Sequence, residues 1–88
     1  MRIEVIRTTG GFDKQYKKLP KQIKEAAKEK ESLFRTNPFD QRLATHKLHG
    51  KEKSIWAFSV TQSYRIKFAF LAKNHVLFLE IGTHAIYQ

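Results

Sequence analysis

Hydrophobic and polar positions divide the chain into six periodic segments. Ile3, Val5 and Ile6 make residues 2–7 a weakly alternating, β-branched stretch, which predicts a first strand. Thr8-Thr9-Gly10-Gly11 breaks it. Phe12, Tyr16 and Leu19 then recur at helical spacing, with Asp13 four residues before Lys17 on the exposed side, and predict a short helix. Pro20 suits the first turn of a second helix. There Ile23, Ala26, Ala27, Lys30, Leu33 and Phe34 follow a helical period, with Lys30 as the polar interruption. A residue before proline avoids the α conformation, so Asn37-Pro38 stops this helix.

Residues 39–53 are the least regular. Asp40 suits the cap of a single turn reaching Leu43, and Thr45 to Lys53 reads as a basic, glycine-broken loop. Three alternating segments follow. Trp56, Phe58 and Val60 form the first inward set, and Tyr64, Ile66, Phe68 and Phe70 the second. Leu77, Leu79 and Ile81 form the third. Thr61-Gln62-Ser63 and Lys73-Asn74 supply the turns, with His75 beside the latter. The expectation is a single α+β domain over residues 1–88, in the order β-α-α-β-β-β. A two-helix hairpin packs on one face of a mainly antiparallel four-stranded sheet. Successive strand side chains point to opposite faces. Arg65, Lys67, Ser59 and Glu80 are therefore expected on the face away from the helices.

Charge adds a partner class. Seventeen Lys and Arg against eight Asp and Glu give +9, an excess that favours a polyanion, nucleic acid first. An acidic protein or an anionic membrane surface would answer the same charge. No apolar run approaches the roughly 20 residues of a membrane span, and the first residues lack the apolar stretch of a signal peptide. With no cysteine, neither disulfides nor thiolate metal sites arise, and a cytoplasmic location is expected.

The histidines add chemistry. His46, His49 and His84 flank the sheet, in a loop before the second strand and in a tail after the last. Imidazole is suited to proton transfer near neutral pH. RNA cleavage by 2′-OH attack needs a base, an acid for the leaving 5′-oxygen and positive charge at the phosphorane. His84 with His46 or His49, together with Arg65 and Lys67, supplies these roles. Lys47, Lys51, Lys53 and Lys67 are candidates to hold RNA. Tyr87 either stacks on a base or docks on the core. His46-x-x-His49 lacks a second ligand pair, so no metal and no other cofactor is expected. His75 is read as a bystander in a turn.

The ordered motifs resemble a known family. They are Phe12-x-x-x-Tyr16-Lys17-Lys18-Leu19-Pro20, Asn37-Pro38, His46-x-Leu48-x-Gly50, Trp56-x-Phe58-x-Val60, Tyr64-Arg65-Ile66-x-Phe68 and Ile81-Gly82-Thr83-His84. Together they resemble the RelE/ParE superfamily of type II toxin–antitoxin toxins over nearly the whole chain. For RelE-like members the resemblance implies an endoribonuclease that cuts mRNA in the ribosomal A site. It also implies a cognate antitoxin, acidic and partly disordered, that wraps the toxin and covers its basic face. The Gly82-Thr83-His84 tail resembles YafQ-like nucleases, in which the tail histidine is catalytic, an aromatic residue ends the chain and a loop histidine matches His46. Arg65 falls where many RelE relatives place a phosphate-binding arginine. The chain departs from the YafQ-like pattern at Ser59, which replaces a histidine, at Ser63, which replaces an acidic residue, and at Glu80, which replaces an arginine. Tyr87 also lies one residue closer to His84. These departures leave two alternatives, a ParE-like gyrase poison and a catalytically weak RNA-binding member of the fold.

Overall fold

The computed structural model describes residues 1–49 and 54–87. Thr9 starts the first helix. Its backbone is extended and its hydroxyl accepts a hydrogen bond from the Phe12 N–H at 3.0 Å, the geometry of an N-cap. Helix α1 (Gly10–Lys17) and helix α2 (Lys21–Thr36) follow, with Pro20 immediately before α2. Asn37 leaves α2 in an extended conformation, as its position before Pro38 requires. Lys30, the polar residue on the apolar side of α2, donates to the Val60 carbonyl at 3.3 Å. That bond explains how a lysine is accommodated there.

The sheet has the order β1-β5-β4-β3-β2, built from β1 (Val5–Thr8), β2 (His46–Lys47), β3 (Ile55–Ser59), β4 (Arg65–Ala72) and β5 (His75–Gly82). β1 pairs parallel to β5, and every other pair is antiparallel. The α+β class, the helical hairpin and the mainly antiparallel sheet follow the sequence reading. The sheet gains one strand, because His46 and Lys47, expected in a loop, pair with Ala57 and Trp56. Two residues are too few to show a period. Their pairing rests on backbone hydrogen bonds, extended by the Leu48 N–H to the Ile55 carbonyl at 2.8 Å.

Phe34 anchors α2 to the sheet. Its ring lies 4.7 Å from Phe58, 4.9 Å from Phe68 and 5.5 Å from Phe78, centroid to centroid. These distances fall in the favourable range for aromatic pairs. Phe12 of α1 packs on the other side of Phe78 at 5.5 Å.

The last strand corrects the expected inward set. Val76 and Phe78 are buried, whereas Leu77 and Leu79 are only partly so. Lys67 pairs with Glu80 but Phe68 pairs with Phe78, so Leu79 is an extra residue on β5. This β-bulge reverses the alternation, and beyond it Ile81 points inward again as expected. His75 is likewise the first residue of β5 rather than part of a turn, and its Nε2 accepts from Arg7 Nε at 3.0 Å.

Past Thr8, β1 no longer covers the edge of β5, and α1 takes over. The Thr9 hydroxyl donates to the Leu79 carbonyl at 2.9 Å, and the Gln15 side-chain oxygen accepts from the Ile81 N–H at 2.9 Å. These bonds satisfy an edge that would otherwise be left open.

Asp40 caps the single turn Gln41–Leu43, accepting from the Arg42 backbone and from its guanidinium at 2.9–3.0 Å. The bonds to Arg42 lower its carboxyl pKa from 3.8 to about 2. The stabilisation from this depressed carboxyl is present above pH 3.8 and is lost as pH falls through about 2. A carboxyl carbon NMR titration should therefore place the Asp40 midpoint near pH 2. Phe34 is fully buried, so Phe34→Ala should destabilise the fold by about 3–5 kcal/mol, measured by urea unfolding.

Candidate functional site

Cross-strand pairing arranges the face of the sheet away from the helices into rows. His46, Ala57, Lys67 and Glu80 form one row across β2, β3, β4 and β5. Ser59, Arg65 and Gly82 form the next. Opposed residues share a face, so His46, Ser59, Arg65, Lys67 and Glu80 all belong to this side. His46 stands two strands from Lys67, about 10 Å at the usual strand spacing.

A 3₁₀ turn, His84–Tyr87, follows β5 after the single residue Thr83. Ile86 is buried and lies against Gly82, where an added Cβ would come 2.8 Å from Ile86 Cγ2. Only glycine leaves room for the turn to sit this close. Lys67 Nζ donates to the Ile86 carbonyl at 3.2 Å and pairs with Glu80 Oε2 at 3.3 Å. Glu80 in turn accepts from Gln15 Nε2 at 3.4 Å. The C-terminal turn, the sheet and α1 are thus linked through one buried ammonium.

His84 is exposed and meets the Tyr87 ring edge-on at 5.8 Å. The Tyr87 hydroxyl is enclosed and makes no hydrogen bond of good geometry among the described residues. Burial pushes the phenol pKa up, and the charge of nearby Arg65, together with a weak polar contact to it, partly opposes that shift. Tyr87 is therefore a neutral O–H donor at neutral pH. Arg65 Nη1 donates to the carbonyls of Thr61 at 2.6 Å and Tyr64 at 3.1 Å. The Thr61 hydroxyl tightens the same turn by accepting from the N–H groups of Ser63 and Tyr64. This arrangement holds a guanidinium in place before any ligand arrives.

His46 is exposed, and its Nδ1 lies 3.1 Å from the Ala44 carbonyl. A carbonyl only accepts, so Nδ1 carries the proton in this contact, and Nε2 remains to exchange protons with a substrate. Ala44 reaches this position with a positive φ of 49°, a conformation that costs a non-glycine residue about 1–2 kcal/mol.

The structure brings together His84, Tyr87 and Arg65, with Lys67 beneath the turn and His46 farther along the same face. Lys47 pairs with Trp56 and so belongs to the opposite face. His49 is exposed beyond β2, without a hydrogen bond among the described residues. Lys51 and Lys53 lie outside the described residues. Alternation placed Lys67 on the correct face but gave no sign that it is only 6% exposed. Gln15 and Thr61, which position Glu80 and Arg65, were not singled out by the sequence reading. Thr61 carried a signal as the first residue of a polar turn; Gln15 carried none.

A cavity of about 680 Å³ opens on the helical side, between Phe12, Tyr16, Ala27, Ile66 and Phe78. His84 does not line it, and the convergence of proton-transfer and cationic groups on the other face is the stronger indication of chemistry. Among the described residues no three His, Asp, Glu or Cys side chains gather to hold a metal, and no helix is long and apolar enough to cross a membrane. Because the Tyr87 hydroxyl has no well-formed partner among the described residues, Tyr87→Phe should leave stability unchanged or raise it by up to about 1 kcal/mol, measured by thermal unfolding.

Neither protein-family models nor curated proteins yield a match to the sequence. Solved structures do. The chain is similar to YafQ from E. coli at 22% identity, with a TM-score of 0.77, covering 98% of this chain and 97% of that one. A YoeB/ParE toxin from Agrobacterium tumefaciens gives 13% identity, a TM-score of 0.78 and coverage of 92% and 99%. RelE in the archaeal RelE–RelB complex from Pyrococcus horikoshii gives 15%, 0.73, and 94% and 96%. At these identities the likeness concerns architecture, and the chain has the RelE/YafQ-like fold.

Proposed function

We propose that the chain is the toxin of a type II toxin–antitoxin pair and an mRNA endoribonuclease acting on the ribosome. One observation carries this reading: the C-terminal turn puts exposed His84 beside Tyr87, on the face where Arg65 is held by its own turn. A proton-transfer group beside a fixed cation, with the second imidazole of His46 on the same face, matches the acid, base and positive charge that phosphodiester cleavage without a metal requires.

In the proposed reaction His46, through Nε2, takes the proton of the 2′-OH as its oxygen attacks phosphorus. Arg65 stabilises the extra negative charge of the phosphorane. His84, as imidazolium, protonates the departing 5′-oxygen, leaving a 2′,3′-cyclic phosphate and a free 5′-OH. The half-buried ring of Tyr87, whose hydroxyl is turned inward, packs against a base. His49 is a weaker counterpart to His84 than His46, because it lies beyond the paired residues of β2. The net charge of +9 supports attraction to ribosomal RNA and mRNA, and equally to an acidic antitoxin. The archaeal neighbour is seen in complex with RelB, which supports a partner of that kind here.

Glu80 favours a second reading. It places a carboxylate on the same face and pairs with Lys67, which leaves Arg65 as the main cation beside the turn. A binder without cleavage would tolerate that arrangement. Primer extension on mRNA after induction, with and without translating ribosomes, separates the readings. Cleavage that requires ribosomes supports the nuclease. DNA-damage signalling without cleavage indicates a gyrase poison, and neither response indicates an RNA-binding relative. His84→Ala and Arg65→Ala should each relieve growth arrest, with a loss of about 2.7–4 kcal/mol of transition-state stabilisation. Full toxicity in both variants would overturn the assignment.

A further inference from the structure

We propose that Lys67 is a positioning residue: its buried ammonium seats the C-terminal turn and so sets where His84 and Tyr87 stand. The inference rests on the endoribonuclease reading for its catalytic consequence, but not for its structural one.

Lys67 occupies the centre of the site face, where a cation in open solvent would be read as a phosphate contact. It is the one charged side chain among the buried described residues, at 6% exposure. An ammonium so enclosed has little surface left for a polynucleotide. Its three protons are directed instead at protein acceptors, among them the Ile86 carbonyl at 3.2 Å and Glu80 Oε2 at 3.3 Å. The end of a helical turn exposes carbonyls without partners, and a cation there is favourable. Otherwise the turn is held mainly by the burial of Ile86 and by its N–H bond to the Thr83 carbonyl at 3.1 Å. A four-residue segment fastened by one apolar side chain is weakly ordered on its own. Lys67 supplies a second, directional fastening.

The ammonium is itself fixed. Glu80 holds it from β5, and Gln15 holds Glu80 while accepting from the adjacent Ile81 N–H. A line of polar contacts therefore runs from α1 through Gln15, Glu80 and Lys67 to Ile86. Ile86 follows His84 by two residues and precedes Tyr87, so a hold on its carbonyl is a hold on the turn that carries both. Gly82 serves the same seat from below by leaving the space that Ile86 fills.

The test compares the full-length wild type with Lys67→Met, which keeps a long side chain and removes the charge, and with Gly82→Ala. The second variant drives a Cβ into Ile86 without touching the ammonium. Circular dichroism checks folding, carboxypeptidase digestion reads the seating of the tail, and cleavage of mRNA on programmed ribosomes reads function. In both variants the tail should be digested faster. The saturating cleavage rate should fall about a hundredfold, as expected for misplaced catalytic groups, at an unchanged half-saturating ribosome concentration. A raised half-saturating concentration with normal rate and normal tail protection would make Lys67 an RNA contact and overturn the proposal. Should Lys67→Met fail to fold, Lys67→Gln, which also removes the charge but keeps a polar end, decides, and wild-type digestion and cleavage in that variant would overturn the proposal. If the wild type itself cuts no mRNA, the nuclease reading fails. The digestion arm still tells whether Lys67 seats the tail.

Discussion

The packing of Phe34 against Phe58, Phe68 and Phe78 is the contact on which the other arrangements rest. One ring from α2 meets one ring from each of β3, β4 and β5. A strand cannot slip by one residue without carrying its phenylalanine to the wrong face. Locking the three inward rings therefore also determines which residues face away. The positions of Arg65, Lys67 and Glu80 on the site face are consequences of an apolar contact on the other side of the sheet.

Periodicity revealed much of this and missed what periodicity cannot express. The alternation around Phe58 and Phe68 gave the inward sets of β3 and β4. The helical spacing of Ile23, Ala27 and Phe34 gave α2. The last strand misled because alternation assumes an unbroken pleat, and the extra Leu79 interrupts it. β2 stayed hidden because its order comes from pairing with β3, which leaves no trace in two residues. Lys67 was placed on the right face but read as open. A face is a property of one strand, whereas burial depends on what a distant segment lays over it. The same limit hid Gln15, whose amide replaces a neighbouring strand at the edge of β5.

Charge and chemistry occupy different parts of the molecule. Eleven of the 17 Lys and Arg fall within residues 1–44, largely on or beside the two helices. That distribution provides long-range attraction to a polyanion without concentrating cations where the proposed chemistry occurs. The site itself relies on few charges: Arg65 held by a turn, and Lys67 engaged by protein acceptors. Its electrostatics therefore depend on the orientation of individual groups more than on net charge.

The bulge at Leu79 has a consequence for which residues of β5 reach the site face. Residues on one side of it, Val76 and Phe78, answer to the aromatic interior. On the other side Ile81 continues that interior, while Glu80 and Gly82 turn to the site face. In a pleat without interruption Glu80 and Gly82, two and four residues past Phe78, would share its inward face. An added residue, its carbonyl held by the Thr9 hydroxyl, lets a single strand serve two masters. One inserted residue thus decides that a carboxylate and a glycine stand beneath the C-terminal turn instead of in the core.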